Sequence, residues 1–174
     1  ATKAGVNLAM INYYFGSKEK LFEALVEYRA SYLRERIIDL QKESNDPIEK
    51  IERLMILYVD RIFDQHRFHK ILQRQLSLQK RSEMNTSIIP IVLKNAEAAK
   101  EIIVEGMEKK VFRQVDPEMF IVSMIGTISQ VTLSSVLCSN LLNGQISLER
   151  SENEELKNRL KSYLTDMAKK YLLA

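Results

Sequence analysis

The chain has 174 residues, 45% of them hydrophobic, enough for one domain with its own core or one domain and a small piece. Glycine and proline number only 5 and 3, which argues against a turn-rich all-β protein and makes all-α the expected fold class. The net charge of +3, from 26 basic and 23 acidic residues, neither requires nor forbids a nucleic-acid partner, because a local patch matters more than the sum.

Taken in chain order, residues 1–4 read as the last turn of a helix closed by Gly5. Asn7 can cap a short helix over about 8–14, which Gly16 breaks. Ser17 caps a third helix over about 18–42, with Glu19 in its first turn and an apolar stripe of Leu21, Leu25, Tyr28 and Tyr32. Phe22, Val26 and Leu33 stand beside that stripe. Asp46-Pro47-Ile48-Glu49 is a strong helix start, with Asp46 as cap, Pro47 in the first position and Glu49 as a capping-box acid. The stripe Ile48, Ile51, Met55, Tyr58 and Ile62 then repeats at helical spacing. A further helix follows over about 68–78. Pro90 falls in the first turn of the next helix or kinks it, and Val92, Ala96, Ala99 and Ile103 form its buried face.

Asp116-Pro117 repeats the cap-and-proline device and opens a helix expected to run to about residue 142. It is uncharged after Glu118, yet Ser123, Thr127, Gln130 and Ser134 make it too polar for lipid and suit a helix buried in protein. The polar side chains share one helical face, which turns either to a subunit interface or into a pocket. Cys138 reads as a small buried residue, and a lone cysteine suits a reducing cytoplasm. With no signal peptide at the start, a soluble cytoplasmic protein is expected. A last amphipathic helix carries Leu156, Leu160, Tyr163 and Met167 in line. No stretch alternates with period two for long enough to be a strand.

The segment over residues 4–21 carries the functional signal. A helix end, a tight turn, a helix of about two turns and a long helix have the form of a helix-turn-helix, whose second helix enters a DNA major groove. Val6, Ile11 and Phe15 are spaced to pack inward, which leaves Leu8, Ala9, Met10, Asn12, Tyr13 and Tyr14 for the outer face, after the cap Asn7. Small Ala9 lets a backbone approach, Asn12 can meet a base edge or a phosphate, and the two tyrosines offer hydroxyls to phosphates. Lys18 adds charge beside free amides at a helix start, and both favour phosphate.

In these residues the chain resembles the TetR/AcrR family of bacterial transcription regulators. Ala4, Gly5, Val6, Ile11, Tyr14, Phe15, Ser17, Lys18 and Leu21 match the family's hallmark; Asn7 stands where the family has Ser or Thr, and Asn12 where it has Tyr. The resemblance implies a DNA-binding head over residues 1–42, incomplete at its N-terminal side and including a connecting helix, and a helical ligand-binding and dimerisation domain over 43–174. It also implies a homodimer on double-stranded operator DNA and a small-molecule effector whose binding releases the operator.

Other candidates are quieter. Met55, Tyr58, Phe63, His66 and Met84 are candidates to line an apolar pocket. His66 and His69 lie three apart with Gln73 on the same face, but without a cysteine or a Glu-x-x-His pattern no metal or cofactor is expected. No nucleophile–base pair or acid pair stands out, so an enzyme is not expected. Ile128, Leu160, Tyr163 and Met167 are the expected dimer contacts, since the uncharged helix wants cover from a second copy. The alternative is a helical protein-binding adaptor, against which the 5–18 segment speaks.

Overall fold

The computed structural model describes residues 8–77, 83–133, 136–142 and 154–173, which form eight helices. Helix α1 (Leu8–Phe15) ends at Gly16, whose φ of +79° is the left-handed conformation that glycine adopts without strain. Ser17 Oγ accepts from the Lys20 N–H at 3.1 Å and starts α2 (Lys18–Glu43). Asp46 Oδ1 accepts from the Ile48 N–H at 2.9 Å and starts α3 (Pro47–Asp64). Glu49 does not complete a capping box. Its carboxylate accepts from the Ser44 hydroxyl at 2.6 Å, and that hydroxyl takes the Asp46 N–H. Then come α4 (His66–Leu76) and α5 (Glu83–Glu108), in which Pro90 lies past the first turn and leaves one carbonyl without its helical donor.

Past α5 the chain turns through Lys110, at φ 58°, and Phe112 folds its ring over Gly106. A methyl group at Gly106 would stand 2.1 Å from that ring, so glycine is what allows the return. Asp116 Oδ1 accepts from the Met119 N–H at 2.9 Å and starts α6 (Pro117–Leu133). Of the helix expected to residue 142, the described residues form α6 and α7 (Val136–Leu141), and residues 134 and 135 between them lie outside the described residues. Within α6 the hydroxyls of Thr127 and Thr132 donate back to the carbonyls of Ser123 and Ile128, at 2.8 and 2.7 Å, a local competition that weakens a helix. Helix α8 (Glu154–Leu173) closes the molecule against α3.

The apolar side chains form two cores. The larger joins the C-terminal half of α2 to α3, α5, α6 and α8 through Ile37, Leu54, Ile102, Met124 and Leu164. The smaller joins Val26 and Ala30 of α2 to Leu72 of α4 and to Ile88 and Ile91 of α5. Helix α2 therefore buries Val26, Ala30, Leu33, Ile37 and Leu40, and the stripe read from the sequence lies off this face: Leu25, Tyr28 and Tyr32 are exposed. Aliphatic and small residues fit the long contact with α5, while tyrosine keeps its hydroxyl wet.

Two expected dimer contacts are corrected by the same burial. Ile128 and Leu160 are 0% and 4% exposed within one chain, so they belong to its own core. Tyr163, 56% exposed, stands off the buried line Leu156, Leu160, Leu164, Ala168 and Leu172. Met167 is half-buried. Among the described residues no helix is long and apolar enough to cross a membrane.

Candidate functional site

A cavity of about 290 Å³ opens between the two cores, where α2, α3, α4, α5 and α6 meet. Its walls are almost wholly apolar. Val26, Ala30 and Leu33 come from α2, Leu72 and Leu76 from α4, Val92 and Ala96 from α5, and Ile121 and Ile125 from α6. Leu93 and Val122 also line it and are exposed, so the cavity reaches solvent between α5 and α6. The space lies where α2 packs on α5 and α4 leaves α3 at Gln65.

The polar part of the lining is basic. Arg29, Arg61 and His69 converge on the cavity, and no carboxylate is among its lining residues. The Arg61 guanidinium lies 4.7 Å from the Tyr32 ring centre and donates to the Arg29 carbonyl at 3.2 Å, tying α3 to α2. The Arg29 guanidinium lies 5.5 Å from the Phe68 ring centre, and its buried Nε–H has no acceptor. Desolvation and the charge of Arg29 lower the pKa of Arg61. Burial, then Arg61 and Arg29, push the His69 imidazole down to about 4, so it is neutral near pH 7. Gln65 Oε1 and Asn95 Oδ1 are buried without donors, while the Gln73 amide donates to Ser129 Oγ at 3.4 Å. Buried polar atoms without partners are uncommon, and of the four among the described residues three lie at this cavity.

Of the residues expected to line a pocket, Tyr58 does. Its hydroxyl donates to the Asn95 carbonyl at 3.5 Å, and burial holds its pKa well above the ordinary phenol value. Met55 and Phe63 do not; both are fully buried in the larger core, because they lie on the side of α3 that the core covers. His66 lines a neighbouring recess of about 340 Å³ with Asp64 and Arg67, joined to the cavity through Arg29, Gln65 and Phe68. The Met84 side chain lies outside the described residues. The polar stripe of α6 does not face the cavity, whose α6 wall is formed by Ile121, Val122, Ile125 and Ser129. Among the described residues no cluster of His, Cys, Asp or Glu could hold a metal ion.

The reading of the sequence missed Arg29, Arg61 and Asn95. The signal was present: Arg29 lies three residues after Val26, Arg61 three after Tyr58 and Asn95 three after Val92, each a polar side chain in a buried helical register.

At the other end of α2, helix α1 rests on α2 and presents an open face. Tyr13 and Tyr14 are 84% and 69% exposed, with ring centres 5.2 Å apart edge to face, and Met10 and Lys18 are exposed as well. Phe15, expected inward, is also exposed, since α1 has its main contact with α2 alone. Asn7 and the side chains of Leu8, Ala9, Ile11 and Asn12 lie outside the described residues.

No protein-family profile and no curated protein matches the sequence. Solved structures do share its fold. A Clostridium perfringens protein described as a fatty acid metabolism regulator aligns with a TM-score of 0.75 at 19% identity, over 95% of this chain and 84% of that one. The transcriptional regulator FadR of Bacillus subtilis, solved in complex with stearoyl-CoA, aligns with a TM-score of 0.64 at 21% identity, over 93% and 84% of the two chains. The fatty acid degradation regulator FadR of Bacillus halodurans gives 0.69 at 22%, over 95% and 81%. At these identities the likeness establishes the all-α architecture that the sequence led one to expect.

Proposed function

We propose that the chain is a ligand-responsive, DNA-binding transcription regulator of the TetR/AcrR type, a repressor that a small molecule releases from its operator. The observation that carries this reading is the double use of α2. The same helix supports α1 at its capped start and, about two to four turns on, supplies Val26, Arg29, Ala30 and Leu33 to the cavity wall. An occupant that prefers one placement of α2 necessarily biases α1, and a bias of this kind is all that a population shift requires. The regulators that share the fold support the reading, as does the hallmark over residues 4–21.

In this reading Asn7, Leu8, Ala9, Met10, Asn12, Tyr13, Tyr14 and Lys18 form the operator face, and the protein works in the cytoplasm without a catalytic role. It acts as a homodimer, since a palindromic operator needs two heads. The dimer surface uses exposed side chains of α6 and α8, with Met119 and Tyr163 in place of the core residues Ile128 and Leu160. Selection from random duplexes with the full-length protein tests the reading: a palindromic site should be enriched. Retention of DNA without any sequence preference, or of none, would overturn it.

A further inference from the structure

Two features of the cavity call for one occupant. The greater part of the wall is apolar, supplied by α2, α4, α5 and α6. Beside these walls stand two guanidinium groups, and among the described residues neither Arg29 nor Arg61 has an ion pair, Asp64 acting on Arg61 only through space. Other partly buried cations here are matched. Lys50 holds Glu105 at 2.6 Å, and Lys157 holds both Asp60 and Asp64 at 2.9 Å. Asp64, the acid lining the recess next to Arg29, is already engaged by Lys157. Placing two like charges together at an apolar wall is costly unless an anion joins them.

We infer that the cavity binds a single apolar chain ending in an anion, with the chain between α2, α4, α5 and α6 and the anion between Arg29 and Arg61. The inference deepens the regulator reading by naming the chemical class of its effector, and it rests on that reading only in calling the occupant an effector. The cavity, at about 290 Å³, is at the small end of the ~300–1,000 Å³ usual for ligand sites, so it takes a chain and not a large head group. A head larger than a carboxylate would lie in the recess beyond Arg29, where Arg67 and His66 are available to it. The anion can therefore be a carboxylate on the chain itself or a phosphate on a group attached to it.

Calorimetric titration of the full chain, without DNA, with dodecanoate, dodecanoyl-CoA, dodecanol and coenzyme A alone tests this. Dodecanoate or dodecanoyl-CoA should bind roughly tenfold or more tightly than dodecanol, the equivalent of about one charge-assisted hydrogen bond. Whichever of the two binds more tightly identifies the source of the anion. In the double variant R29Q/R61Q that advantage should disappear while dodecanol binds as before, which shows that the variant is folded. Equal binding of dodecanol and both anions by the unaltered protein would overturn the inference. So would an advantage that survives R29Q/R61Q, or coenzyme A binding as tightly as its acyl thioester. Because no DNA is present, failure here is distinct from failure of operator selection.

Discussion

Basic side chains are buried in one region of this molecule and half-buried in another, and the two are treated in opposite ways. Where α3 meets α5 and α8, Lys50 and Lys157 lie with their stems covered and their amines on carboxylates of Glu105, Asp60 and Asp64. These pairs cross between helices and fix their positions. Around the cavity, Arg29 and Arg61 are held over aromatic rings with no counter-charge, beside a histidine kept neutral. The first region is complete in itself. The second is stable enough to form and is left with electrostatic potential that an arriving anion can satisfy. A structural site and a binding site thus differ in whether their charges are closed, more than in how deeply they lie.

The largest effect that separates the regions comes from removing one partner. Glu105→Ala leaves Lys50 buried without its carboxylate and should cost about 3 kcal/mol of stability in urea unfolding. Arg61→Leu removes a cation that has no ion pair and should change stability by about 1 kcal/mol, its contact with Tyr32 and its hydrogen bond to the Arg29 carbonyl being partly offset by the repulsion from Arg29 that it relieves. Similar destabilisation by the two substitutions would erase the distinction.

Acid should separate them next, through different pH windows. The folded-state pKa of His69 is depressed from 6.5 to about 4, so its contribution is complete above 6.5 and is lost as the pH falls toward 4, because the unfolded chain takes up the proton first. At pH 5 the loss is about 2 kcal/mol at 1.36 kcal/mol per pH unit. Glu105 and Asp60 also have lowered values, Glu105 chiefly through hydrogen bonds from Lys109 and Lys50, and Asp60 through Lys161 and Lys157 against an opposing desolvation. Their contribution is present above the ordinary values of 4.5 and 3.8 and is lost only below them. Unfolding midpoints measured from pH 7.5 to 4.5 should therefore fall in the native protein and stay nearly flat in His69→Gln. An equal fall in both would remove His69 from the explanation.

These examples also show what could be read from the sequence. The caps Ser17, Asp46 and Asp116 were legible because a cap acts through bonds within a few residues of itself. The face of α2 was not, because Tyr28 and Tyr32 count as apolar by periodicity while only the partner helix decides which apolar side is covered. The same limit hid the cavity. Arg29 and Arg61 are 32 residues apart, and their meeting depends on how α2 crosses α3. The stripe on α8 was half right for a local reason: Leu156 and Leu160 are buried, but the turn of the helix carries the line on to Leu164 and not to Tyr163.

The smallest expected effect concerns the DNA end of α2. Lys18→Ala in the intact protein should weaken all operators alike and lower the salt slope by roughly one unit for each phosphate that the lysine neutralises. An unchanged slope would remove Lys18 from the operator face.

Operator release on filling the cavity joins the two ends of α2 in one measurement. Fluorescence anisotropy of a selected operator duplex bound by the full-length protein should fall as dodecanoate or dodecanoyl-CoA is added, and should stay high for R29Q/R61Q over the same range. Calorimetrically confirmed occupancy of the cavity with no change in operator affinity would contradict the coupling through α2.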